Sequence, residues 1–174
     1  MNHTYKCKHC INVDKPEKCV SCFNLSRYML KPSLLPVISV YQPWASLIAL
    51  GYKLVETRLH DKFKNLLNKT ICIHAANHYD RDTSTILGFI KPLLLDIEYT
   101  KIKHLTLYNK LPYGAIVCTA YVYDYRKLNS ADSRDALCDC SQCNRYGLFL
   151  SQIKMKTIPN ISGQRGMWYY NMKG

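Results

Sequence analysis

Residues Ile38–Arg58 read ISVYQPWASLIALGYKLVETR. The stretch opens as an extended apolar run, ISVY, whose β-branched Ile38 and Val40 favour a strand. Gln42-Pro43 ends the run. Proline is favoured at the first helical position, where its missing N–H is not needed, so Trp44 to Leu50 is predicted as a short amphipathic helix. Gly51 is its stop signal. KLVETR then resumes a strand pattern in which Glu56 and Arg58, two apart, share a face. A strand, a helix and a strand thus follow one another closely, with Trp44, Lys53, Glu56 and Arg58 at the joints.

Working outward, period-two alternation marks strands at 37–41, 53–58, 70–75, 114–123, 147–156 and 166–171, most clearly in AIVCTAYVY. A helix is expected from about Asp82 to Leu95, capped by Thr83 or Ser84, with Gly88 and Pro92 against it. Residues 96–113 fit neither period, and 126–146 read as a polar loop. Residues 1–31 are cysteine-rich and poor in aliphatics, which separates them as a small module. Residues 32–36, with Pro32 and Pro36, form a stiff linker, and 37–174 form the main domain.

The chain has 174 residues and is 48% hydrophobic, enough for one real core plus an appendage. No window approaches the roughly 20 apolar residues that span a bilayer. The polar start MNHTYKCKHC has no apolar signal region. An intracellular protein is expected, in the cytoplasm or, in a eukaryote, the nucleus, where thiols stay reduced. Twenty-four Lys and Arg face twelve Asp and Glu, a net charge of +12. After Asp139 come only cations: Arg145, Lys154, Lys156, Arg165 and Lys173. An excess of this size favours polyanions, nucleic acid before any membrane surface.

Five stretches in order carry a family likeness. Gln42-Pro43-Trp44-Ala45 is followed by Gly51-Tyr52-Lys53-Leu54-Val55-Glu56-Thr57-Arg58, then ICIHAANHYD at 71–80 and GAIVCTAYVYDY at 114–125. YGLFLSQIKMKTIPNISGQRGMWYY closes the set at 146–170. Together, over about residues 36–172, they resemble the ASCH (activating-signal-cointegrator homology) domain, related to the PUA RNA-binding fold. The resemblance implies a mostly β fold with short helices, a PUA-like barrel beginning near Val37, and a cleft beside the short helix bordered by Trp44, Lys53, Glu56 and Arg58. Fold alone does not fix the reaction.

Two cysteine groups stand apart. Cys7, Cys10, Cys19 and Cys22 form two Cys-x2-Cys pairs, the ligand set of one tetrahedral structural zinc, with Lys6, Lys8, Lys15 and Lys18 around them. Cys138, Cys140 and Cys143 supply three ligands of a possible second zinc site, the fourth being Asp139, His60, His78, His104 or none. The alternative for this second group is a reduced, cysteine-rich loop. Cys72 and Cys118 lie in apolar strands and read as core.

The cleft residues suit a planar polar ligand. Trp44 offers a stacking face, Lys53 a point charge, Glu56 an acceptor, and Arg58 either a partner for Glu56 or a fork for phosphate. Gln164 and Arg165, between Gly163 and Gly166, sit on a turn where backbone can approach a ligand. Strand alternation sends Lys53 and Glu56 to opposite faces, so their convergence requires a bend after Gly51. Three functions stay open. The first is binding of RNA or DNA, with a single, modified or flipped nucleotide in the cleft. The second is hydrolysis of a modified nucleoside or nucleic acid by Lys53, Glu56 or His74. The third is a zinc-dependent protein adaptor. One ASCH branch is an amidohydrolase whose threonine stands three residues after the lysine; here that place is Glu56, and Thr57 comes one later.

Overall fold

A computed structural model describes residues 34–79, 83–107 and 111–172. The chain divides into two compact units, of which Leu35–Tyr169 holds nearly all the described residues. The strands are β1 (Leu34–Gln42), β2 (Val55–Arg58), β3 (Lys69–Tyr79), β4 (Ala115–Lys127), β5 (Tyr146–Ile158) and β6 (Met167–Asn171). The helices are α1 (Trp44–Ala49), α2 (Thr83–Ile90), α3 (Asp96–Leu107) and α4 (Ser133–Ala136).

The six strands form one sheet in the order β2-β5-β4-β3-β1-β6. β1 and β3 are parallel, with Ser39 beside His74, while β3–β4, β4–β5 and β5–β2 are antiparallel. The expected closed barrel is corrected here to a mixed β/α fold on an open sheet. β2 and β6 stand at its two ends, and no ladder joins them among the described residues. The sheet nevertheless curls: the Arg58 guanidinium on β2 donates to the Ser39 carbonyl on β1 at 3.1 Å, bringing strands from opposite parts of the order together. A side-chain bond here does what a backbone ladder does in a barrel.

The Gln-Pro-Trp-Ala turn has a local cause. Gln42 is fully buried; its amide oxygen accepts from the Ser46 N–H at 3.2 Å and its amide nitrogen donates to the Pro112 carbonyl. Gln42 thus satisfies an otherwise orphan N–H of α1. Pro43 itself is the cap residue rather than the first helical one. At the other end Gly51, at φ +77°, adopts the left-handed conformation that favours glycine, and its N–H bonds Ile48.

α1 is buried on two sides. Ala45 and Ile48 join Ile38, Ile71, Ile73, Val117, Val122 and Leu148 in the main core, while Leu47 packs with Leu87, Ile90, Ile102 and Leu137. The single helix expected over 82–95 is interrupted: α2 gives way to a 3-10 turn at Lys91–Leu93, where Pro92 cannot continue the α-helical ladder. α3 fills the stretch whose period was unreadable, and α4 lies within the expected polar loop. No helix of the described residues is long and apolar enough to cross a membrane.

Gly88 in α2 is exposed, and a Cβ there would meet no atom within 4 Å. Gly88→Ala should therefore stabilise the fold by about 0.5–1 kcal/mol, through the glycine penalty in helices. Urea denaturation measures it; a loss of stability would contradict this helix.

Candidate functional site

A cleft of about 750 Å³ opens beside α1, within the volume range of small-molecule sites. Trp44, Lys53, Glu56, Arg58, Gln164, Arg165 and His74 all line it. Lys53 and Glu56 converge because Lys53 lies before β2, outside the ladder, where strand alternation does not apply. The path is held by Lys53 N–H bonding Leu47, Leu54 N–H bonding Asp135, and the Leu54 carbonyl accepting from Leu150.

Lys53 is the most unusual group. It is buried, only 4% exposed, and its ammonium donates to the Ala136 carbonyl at the end of α4. It also stands 5.4 Å from the centre of the Trp44 ring, a cation–π arrangement. Burial pulls its pKa below the usual lysine value, opposed by the negative charge of Glu56. Glu56 is itself buried and pairs with Arg58 at 3.1 Å.

Arg58 is committed. Besides Glu56 and the Ser39 carbonyl, its guanidinium lies 5.1 Å from the Phe63 ring. Of the two roles open to it, the structure shows the pairing with Glu56. Gln164 and Arg165 are exposed on the turn between Gly163 and Gly166. The described cleft lining carries Lys53, Arg58, Arg145 and Arg165 against one carboxylate, Glu56, so the cleft has a net positive charge.

His74 is only 1% exposed and both ring nitrogens have partners. Nε2 is 3.0 Å from the Ile161 carbonyl, which can only accept, so Nε2 carries the hydrogen. In the neutral ring, Nδ1 then accepts from the Ser39 hydroxyl at 3.2 Å. Burial lowers the His74 pKa, against the Ile161 carbonyl, and so favours this neutral form. The Trp168 ring meets His74 edge-on at 5.6 Å, and its N–H reaches Ser39 Oγ at 3.4 Å. The single Ser39 hydroxyl hydrogen is shared between His74 Nδ1 and the Gln164 carbonyl, 3.1 Å away. His74, Ser39 and Trp168 thus fasten the 161–166 turn to the sheet.

Several cleft residues escaped sequence reasoning. Tyr41 on β1 is 52% exposed and meets His78 edge-on at 6.2 Å. Its alternation with Val40 was visible, but nothing marked its outer face as cleft wall. Arg145 donates to the Thr57 hydroxyl at 3.3 Å.

The zinc expectation is overturned for the described residues: they hold no group of three or more His, Cys, Asp or Glu side chains placed to bind a metal ion. Cys138, Cys140 and Cys143 do lie close together, but Cys140 packs as an apolar side chain against Val55, Leu128 and Phe149. Burial, with Cys138 and Cys143 nearby, pushes its thiol up to about 12. Asp139 is turned to the Ser141 N–H, and His60 and His78 pack against Phe63 and Tyr41. Cys7, Cys10, Cys19 and Cys22 lie outside the described residues.

No family model matches the chain, and no curated protein does. Among solved structures, it is similar to ASCH from Zymomonas mobilis, at 14% identity, with a TM-score of 0.48 over 79% of this chain and 88% of that one. A single-residue variant of the same Zymomonas mobilis protein is also similar, at 14% identity and a TM-score of 0.46 over 79% of this chain and 91% of that one. These are likenesses of fold alone.

Proposed function

We propose that this protein binds single-stranded nucleic acid and seats one nucleotide in the cleft. The observation that carries the reading is a positively charged cleft of nucleotide-compatible size, lined by Lys53, Glu56 and aromatic rings, in a chain of net charge +12. Lys53 supplies a charged donor for a phosphate or base carbonyl, and Glu56 an acceptor for an exocyclic amine. Arg165 on the exposed turn meets the backbone phosphates, while the cleft reads the base. The stacking role passes from Trp44 to Tyr41. Trp44 packs on both α1 cores, whereas Tyr41 presents an exposed ring at the cleft wall.

The test is anisotropy of labelled single-stranded RNA and DNA oligonucleotides against salt. Log K should fall with log salt at a slope of about −0.7 per phosphate contact. Binding indifferent to salt would remove the reading. Tyr41→Ala should cost about 1–3 kcal/mol of affinity, the worth of one base–aromatic stack, with little change in melting temperature. Unchanged affinity in that variant would shift stacking back to Trp44.

A second reading, hydrolysis of a modified nucleoside or nucleic acid, is favoured by one observation: a buried lysine whose pKa is lowered suits a general base. Against the amidohydrolase form of it, the place three residues after Lys53 holds Glu56 rather than threonine. Product formation from oligonucleotides or acylated cytidine, lost in Lys53→Ala, would establish this reading.

A further inference from the structure

Cys138, Cys140 and Cys143 form a group of thiols that reaches the cleft at Cys138. Cys138 Sγ and Cys140 Sγ are 3.7 Å apart, and Cys143 is close enough to Cys140 to share a hydrogen bond. Cys138 and Cys143 are half-buried, so small reagents can reach them, while Cys140 is buried behind them. The loop is well fastened: Cys138 N–H bonds the Ser133 carbonyl, and Cys140 N–H bonds the Ser133 hydroxyl. Two sulfurs are thus held within 2 Å or so of bonding distance, since a disulfide needs about 2.05 Å.

The second observation ties these thiols to the cleft. Cys138 lines it, and the carbonyl that anchors the Lys53 ammonium belongs to Ala136, two residues before Cys138. The single residue between, Leu137, is held at φ 52°, a left-handed conformation that a leucine adopts only at a cost. A pull on Cys138 therefore acts at a strained link next to the Lys53 anchor.

We infer that Cys138 and Cys140 form a peroxide-sensitive dithiol site whose disulfide releases Lys53 from Ala136 and so resets the cleft. The half-buried but accessible Cys138 sulfur, as thiolate, attacks one oxygen of hydrogen peroxide, expelling hydroxide and becoming a sulfenic acid. The Cys140 sulfur then attacks the Cys138 sulfur; the hydroxyl leaves and, with the thiol proton, forms water. The sum is two thiols and one peroxide giving one disulfide and two waters, and a dithiol reductant reverses it. This chemistry does not depend on the nucleic-acid reading.

The experiment treats the full-length protein with hydrogen peroxide, blocks free thiols with iodoacetamide and measures tryptic peptides. Cleavage after Arg134 and Arg145 isolates all three cysteines, without Cys72, Cys118 or the N-terminal four. In wild type and in Cys143→Ser, Cys138 and Cys140 should stay unalkylated after oxidation, the pair weighing about 2 Da less than two free thiols, and dithiothreitol should return both as free thiols. Full alkylation of Cys138 and Cys140 in the oxidised Cys143→Ser protein would overturn the dithiol site. Acetylation of Lys53 by acetic anhydride reads the coupling separately. It should rise several-fold on oxidation in wild type and stay at the reduced level in Cys138→Ser. Unchanged Lys53 labelling in a protein carrying the disulfide would overturn the link to the cleft.

Discussion

Lys53→Met should raise the melting temperature while lowering oligonucleotide affinity roughly tenfold to a hundredfold or more. The affinity loss is that of one charged hydrogen bond, about 1.5–3 kcal/mol. The stability gain follows from burial: a lysine whose pKa is lowered by the fold is one whose charge the fold opposes. Methionine keeps an apolar stem beside Trp44 and removes the ammonium, while Glu56 keeps Arg58 at 3.1 Å. The pH dependence has a definite sign. Between the lowered folded pKa and the unfolded value of about 10.4, the unfolded chain binds a proton that the folded chain does not, so wild-type stability rises with pH there. Below the folded value both states are protonated and the burial cost is fully present. Lys53→Met should lose this alkaline rise. A melting temperature that falls in Lys53→Met would make Lys53 a structural anchor rather than a functional group held at a cost.

Gly163→Ala should be the most damaging single methyl group in the site. A Cβ at Gly163 would stand 2.4 Å from His74 Cε1 and 2.8 Å from Nδ1, with Ser39 Oγ at 3.1 Å. His74 cannot retreat, since it is buried and held by Ile161 and Ser39. The turn must swing away instead, taking Gln164 and Arg165 out of the cleft wall. Overpacking of this kind costs about 1–3 kcal/mol. Denaturant unfolding and oligonucleotide affinity should both fall. Gly166→Ala is the contrasting case, because a Cβ there meets nothing within 4 Å and only its φ of +75° resists. Equal tolerance of both alanines would mean that the turn does not pack on His74.

The sheet was legible because its strands alternate, and all six strand regions were visible in the sequence. Closure was not. Whether a curled sheet becomes a barrel depends on its two end strands, and β2 is only Val55–Arg58 because Lys53 and Leu54 are drawn off toward α1, β5 and Asp135. That diversion comes from chain-distant partners that no local pattern reports. It also puts Lys53 and Glu56 in one cleft, which simple alternation denied.

The cysteine spacing at 138–143 misled for a related reason. Spacing states how near thiols can come along the chain, not that Cys140 turns into an apolar pocket with Val55 and Phe149. The Ser39–His74–Trp168 fastening joins three separate segments, so it had no local signal. Its one trace was the glycine at 163, needed because the His74 ring fills the space a side chain would take.

Where a bound strand lies tests the central claim most directly. Single-stranded oligonucleotides carrying a photoreactive 4-thiouridine or 4-thiothymidine should be cross-linked to the full-length protein and the attached peptides identified by mass spectrometry. Attachment should concentrate on residues 39–58 and 163–166, at Tyr41 above all, and disappear in Lys53→Met at concentrations near the wild-type Kd. Cross-links confined to surfaces outside the cleft, and indifferent to Lys53→Met, would contradict a nucleotide seat there.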